Sequence, residues 1–139
     1  MALRALLATS IVATLFAGQA MADESWSLPN GNQLIYDRDI GSTAVLSYQP
    51  ARGRGRGQIF VVGLGGQASN RGQYTAYWVE ADDAGVLCPA GIVDAEGRLW
   101  HRWGLASVAF GNSGSPSPIT IFQAECLTTQ WRSATARPN

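Results

Sequence analysis

Apolar stretches in this chain are brief, and glycine interrupts them repeatedly, so beyond residue 22 there is no convincing helix of ten or more residues. With 16 glycines in 139 residues, a helical interior would lose about 1 kcal/mol at each glycine relative to alanine. Short extended segments fit the pattern instead. Strands are expected at residues 34–36 and 43–48, where Thr43, Val45 and Ser47 alternate with Ala44, Leu46 and Tyr48. The continuous run IFVVGL at 59–64 reads as a central strand buried on both faces. In 73–82, Tyr74, Ala76 and Trp78 share one face while Thr75, Tyr77 and Val79 share the other. Further short segments are expected at 85–88, 91–93, 99–103, 105–110 and 119–126.

The joins between these segments carry turn chemistry. Gly31-Asn32, residues 94–97 and residues 111–118 supply flexible backbone and polar side chains. Seven or eight short strands in a chain of this size predict an all-β fold, a small antiparallel barrel or sandwich. Closure would protect edge backbone groups that an open sheet exposes. One β-rich domain is expected over 23–131, followed by a loose C-terminal tail at 132–139.

The first 22 residues read as a cleaved secretory signal. Arg4 precedes an apolar run from Ala5 to Phe16, and Ala20-Met21-Ala22 offers small residues at a signal-peptidase site. That run is shorter than the roughly 20 apolar residues a spanning helix requires. No cysteine follows the site for lipid attachment. A periplasmic or extracellular destination follows, with no stable transmembrane segment after processing. Export also makes a Cys88–Cys126 disulfide the natural reading of two cysteines whose spacing suits neither a CxxC redox centre nor a metal knuckle.

After such cleavage the remaining 117 residues hold nine arginines, ten acids and no lysine, a net charge of −1. This balance argues against a general affinity for nucleic acid, so any attraction to an anion must be local. The local candidate is the loop Arg52-Gly53-Arg54-Gly55-Arg56-Gly57, whose three guanidinium forks match phosphate, acidic glycan or carboxylate groups. Its plain reading is a flexible connection between two strands.

A second candidate surface runs from Arg71 through Tyr74 and Trp78 to Asp82 and Asp83, with His101 and Arg102 on a neighbouring segment. Aromatic faces can hold the apolar face of a sugar or peptide while arginine and carboxylate groups orient its polar atoms. Core packing is the competing reading for Trp78, Trp100 and Trp103. His101 is the only histidine, so a histidine metal cluster within one chain is excluded. Asp37-Arg38-Asp39 and Asp82-Asp83 do not match a calcium loop, and no cofactor motif is present.

These features predict a noncatalytic secreted or periplasmic binding protein that recognises an envelope glycan or another exported protein, in the latter case as an inhibitor presenting residues 111–118. A carboxylate-dependent hydrolase is the alternative. It requires at least two of Glu80, Asp82, Asp94, Glu96 and His101 to converge in one cleft. A passive structural or stress-related envelope protein is the third reading, and it predicts no concave polar pocket.

Overall fold

A computed structural model describes residues 24–66, 72–112 and 116–139. The signal-like segment 1–22, Arg71 and the middle of the 111–118 connection lie outside the described residues. In chain order the strands are β1 (Ser25–Ser27), β2 (Gln33–Ile40), β3 (Thr43–Tyr48), β4 (Gly57–Val62) and β5 (Gln73–Glu80). They continue with β6 (Ile92–Val93), β7 (Leu99–Trp100), β8 (Arg102–Phe110), β9 (Ile119–Ala124) and β10 (Trp131–Pro138). Eight of these form a closed antiparallel barrel in the order β1-β10-β9-β8-β5-β4-β3-β2, and β6 and β7 pair as a separate hairpin. The barrel is therefore an up-and-down meander with one excursion, residues 81–101, inserted between β5 and β8. No helix among the described residues is long and apolar enough to cross a membrane.

The segment expected to be a loose tail is instead the strand that closes the barrel. β10 pairs with β9 from Trp131↔Ala124 to Ala136↔Ile119, and with β1 through Ser27↔Arg137 and Trp26↔Pro138. Its sequence conceals this role because its inward residues are small: Ala134 and Ala136 lie opposite Ile121 and Ile119. The large side chains that fill that space come from elsewhere. A strand can contribute mainly a hydrogen-bonding backbone when its neighbours supply the bulk.

Inside, large and small residues complement one another. Trp26, Tyr36, Leu34, Leu46, Ile59, Val61, Trp78, Val108, Ile119 and Ile121 share the interior with Ala44, Ala76, Ala106 and Ala136. The tightest fit is at Gly104, opposite Trp78 in the β5–β8 ladder. A Cβ at Gly104 would lie 1.8 Å from the Ala124 carbonyl oxygen and 2.5 Å from Trp78 Nε1. That gap lets the Trp78 indole donate to Ala124 O at 2.9 Å.

The excursion covers the outer face of β3, β4, β5 and β8, building a second core from Val45, Phe60, Val79, Trp100, Trp103 and Cys88. Phe60 and Tyr77 stack at 4.9 Å between centroids. The 94–98 turn is organised by Asp94, whose Oδ1 accepts from the Glu96 and Arg98 amides and whose Oδ2 accepts from Trp100 Nε1 at 2.7 Å. Burial alone would raise the Asp94 carboxyl, but these hydrogen bonds outweigh it and hold the group below its ordinary value. Residues 99–103 are not one strand, because the chain bends at His101 between the hairpin and the barrel.

Cys88 and Cys126 form the disulfide, with Cα atoms 5.6 Å apart, and it clips the excursion to the β9–β10 connection. Replacing both cysteines with serine should lower stability by about 3–4 kcal/mol, read from urea midpoints, since the bridge closes a 38-residue segment. Gly104→Ala should lower stability by about 3 kcal/mol or more in the same assay, because its clash includes backbone that cannot rotate away. A Gly104→Ala midpoint equal to wild type would show that the Trp78 seat is not as tight as its geometry implies.

Candidate functional site

The inward rows of the barrel change chemistry at one end. On β3 the row runs Ala44, Leu46, Tyr48; on β5 it runs Ala76, Trp78, Glu80; on β8, read toward the same end, it runs Ala106, Gly104, Arg102. Gln123 on β9 and Arg132 on β10 occupy the matching level, paired with each other in the ladder. At the far end, the described inward residues are apolar or aromatic, with Tyr74, Phe110 and Trp26 in ring contact and Leu64 in the same core cluster. Trp26 Nε1 there donates to Ser117 O at 2.8 Å. Among the described residues the interior thus runs from apolar side chains at one end to a polar mouth at the other.

The mouth holds a cleft of about 410 Å³ whose walls include Leu28, Tyr48, Glu80, Arg102, Gln123 and Arg132. Below it lies a gap of about 40 Å³ among Leu34, Ile59, Ile121 and their neighbours. An eight-stranded barrel can either fill its interior with side chains or enclose a small ligand, and this one is filled. The cleft is consequently a rim site.

A buried charge network forms its floor. Arg102 and Glu80 are each 8% exposed, and Arg102 Nε donates to Glu80 Oε2 at 2.8 Å. Tyr48 Oη donates to Glu80 Oε1 at 2.7 Å, so both carboxylate oxygens are engaged. Arg102 Nη1 donates to Val86 O at 3.0 Å, and its guanidinium lies 5.1 Å over the Trp78 ring. Its two terminal nitrogens also reach Glu125 Oε1, each at 3.4 Å. Two glycines give these side chains room. A Cβ at Gly85 would meet Arg102 Cζ at 2.7 Å, and one at Gly57 would meet the Tyr48 ring at 2.3 Å.

The Arg-Gly loop joins β3 to β4 at this same mouth. The Arg54 amide donates to Asp83 Oδ2 at 3.3 Å, and Gly53, at φ +87°, lies against Asp83 where a side chain would clash. Arg56 turns to the outer face, where Nη2 donates to Ser47 Oγ at 3.1 Å. Arg52, Arg54 and Arg56 are exposed. With Arg102 and Arg132, five of the eight arginines among the described residues stand at one end of the barrel.

The proposed ligand surface is therefore redistributed. Arg102, Asp82 and Asp83 lie at the mouth with the Arg-Gly loop, which sequence reasoning had treated as a separate patch. Tyr74 is half-buried at the opposite end, against Phe110, so it shares no pocket with Arg102. Trp78 is 1% exposed and belongs to the core, as the inward parity of β5 dictates. His101 is exposed on the excursion, outside the cleft, and Arg71 lies outside the described residues. Tyr48, Gln123 and Arg132 were missed; alternation on β3 gave Tyr48 its face, but nothing local marked which end of the strand was open.

Of the five candidate acid–base residues, Glu80 alone lines the cleft, and Asp82 lies beside the Arg-Gly loop outside it. Asp94 holds its turn, and Glu96 pairs with Arg38. Among the described residues, no group of three or more His, Cys, Asp or Glu side chains is placed to hold a metal ion. Comparison with known protein families, curated proteins and solved structures finds no match to this chain.

Burial first, and then the adjacent Glu80 carboxylate, keep the Tyr48 hydroxyl well above the ordinary value of 10.0. A proton held more tightly in the folded state stabilises it fully below the unfolded value and is lost as a stabilising influence as pH rises beyond it. Stability should therefore fall above about pH 10, and Tyr48→Phe should flatten that fall while leaving the smaller contribution of Tyr77, which is also raised. Thermal melts at intervals from pH 7 to 11 check this, with an unchanged alkaline slope in Tyr48→Phe as the contrary result.

Proposed function

We propose that this protein is an exported, noncatalytic binding protein that grips an anionic partner at the mouth of its barrel. The observation that carries the reading is that Arg102 and Arg132 line the cleft while Arg52, Arg54 and Arg56 stand exposed on the β3–β4 loop at the same end of the barrel, in a chain of nearly balanced charge. Arg102 is prepositioned: Glu80, Val86 O and the Trp78 face hold its guanidinium, so little side-chain entropy is lost when a ligand arrives. The more exposed arginines supply attraction over longer range.

Export is supported by the form of residues 1–22 and by the disulfide, which suits an oxidising compartment. A binding role is favoured over two-carboxylate hydrolysis because the one carboxylate lining the cleft is already engaged by Arg102 and Tyr48. A passive envelope role predicts no concave polar site, and the cleft counts against it.

Replacing Arg52, Arg54 and Arg56 together with glutamine should leave the melting curve close to wild type. Affinity for anionic probes, polyglutamate and oligogalacturonate, should drop about tenfold or more at low salt, and the dependence on salt should become shallower. Calorimetric titration at several salt concentrations measures both. Wild-type protein that binds neither probe, or a triple variant that binds as wild type does, would overturn the proposal.

A further inference from the structure

We infer that the anionic partner is an acidic oligosaccharide, and that Trp131 forms the stacking platform for a sugar ring next to the mouth; this inference rests on the anion-binding reading above. Five tryptophans occur in the chain, and four are used internally: Trp26, Trp78, Trp100 and Trp103 are 0%, 1%, 9% and 7% exposed. Each of those four directs its indole N–H to a buried or partly buried acceptor, namely Ser117 O, Ala124 O, Asp94 Oδ2 and Ala90 O. Trp131 is different. It opens β10 on the outward face and is 48% exposed.

Around it lies a second cleft of about 300 Å³, lined by Glu125, Thr128, Gln130, Trp131 and Arg132. One aromatic face accompanied by a carboxylate, a hydroxyl, an amide and a guanidinium is a set of groups that suits a pyranose. The ring's C–H face stacks on the indole, and its hydroxyls need both donors and acceptors. No aliphatic side chain lines this cleft to receive an apolar peptide side chain. The closed barrel also lacks a free strand edge to which a peptide could add. Both observations favour a glycan over an acidic protein segment.

Arg132 lines both clefts, so they are adjacent. Glu125 bridges them, with Oε1 at 3.4 Å from Arg102 Nη2 and 4.0 Å from Arg132 Nη2. A chain of sugars carrying acid groups can therefore seat one ring on Trp131 while a neighbouring carboxylate meets Arg132 and the mouth. The strand parity of β10 builds this arrangement, since residue 131 faces out and residue 132 faces in.

The test titrates oligogalacturonate, a neutral oligosaccharide of equal length and polyglutamate into the protein, following tryptophan emission and acrylamide quenching. Oligogalacturonate is expected to bind most tightly, shift the emission and protect the exposed tryptophan from acrylamide. Trp131→Leu, which keeps apolar bulk on the strand, should weaken that binding about tenfold and abolish the emission change. Trp131→Tyr, which restores a flat ring, should recover affinity to within about threefold of wild type. Polyglutamate bound equally well by wild type and Trp131→Leu, with no oligogalacturonate binding, would overturn the glycan assignment and leave the anion-binding mouth standing. Equal oligogalacturonate affinity in wild type and Trp131→Leu would overturn the Trp131 platform, and absence of binding to either anionic probe would overturn both readings.

Discussion

The interior of an eight-stranded barrel is only wide enough for side chains to meet across its axis, and that limit governs most of this molecule. Two tryptophans and two tyrosines enter the same space, so other inward positions must shrink. Gly104 gives way to Trp78, and Ala44, Ala76, Ala106 and Ala136 surround the larger groups. Packing at this density leaves little empty volume for a ligand inside. Recognition is therefore displaced to the end of the barrel, where the inward rows run out of apolar residues.

At that end the same limit decides which polar groups are held still. Arg102 follows Gly104 on the inward row of β8 and Glu80 follows Trp78 on β5, so the ion pair sits directly above the tightest part of the core. A buried pair contributes little net stability if its desolvation penalty matches its attraction, but breaking one partner leaves an uncompensated charge. Tyr48 and Val86 O supply the further hydrogen bonds that make the arrangement tolerable. Gly57 and Gly85 matter for the same reason, because each leaves space for a side chain of this network rather than for its own. The disulfide clips to the barrel the excursion whose Val86 carbonyl accepts from Arg102.

Much of the fold was legible because strand periodicity is local. The alternation in 43–48 and 73–80 grouped the residues of β3 and β5 by face without revealing which face is inward, and the interruption of apolar runs by glycine pointed to short strands. β10 was illegible for a physical reason: its inward alanines serve a core built by other strands, so its hydrophobic signal is weak. The site was less legible than the fold. Tyr74 and Arg102 are on paired strands, but antiparallel pairing places Tyr74 against Val108 and Arg102 against Glu80, near opposite ends of the ladder. Parity could group side chains by face, whereas the end of the barrel at which they emerge depends on register across several strands.

β10 also explains why closure and recognition are linked here. Its backbone joins β9 to β1, and without it the barrel would expose two strand edges. Its first two residues project to opposite sides of the wall, Trp131 outward and Arg132 toward the mouth. An arginine and a tryptophan on a flexible tail would lose backbone entropy on binding, and the ladder removes that part of the loss in advance. The weakly hydrophobic strand that looked dispensable thus fixes the geometry of both clefts, because Trp131↔Ala124 and Arg132↔Gln123 lock it to the neighbouring strand. Its small inward residues and its large outward tryptophan follow from one division of labour: the interior was already full, so bulk placed on this strand had to face solvent or a ligand.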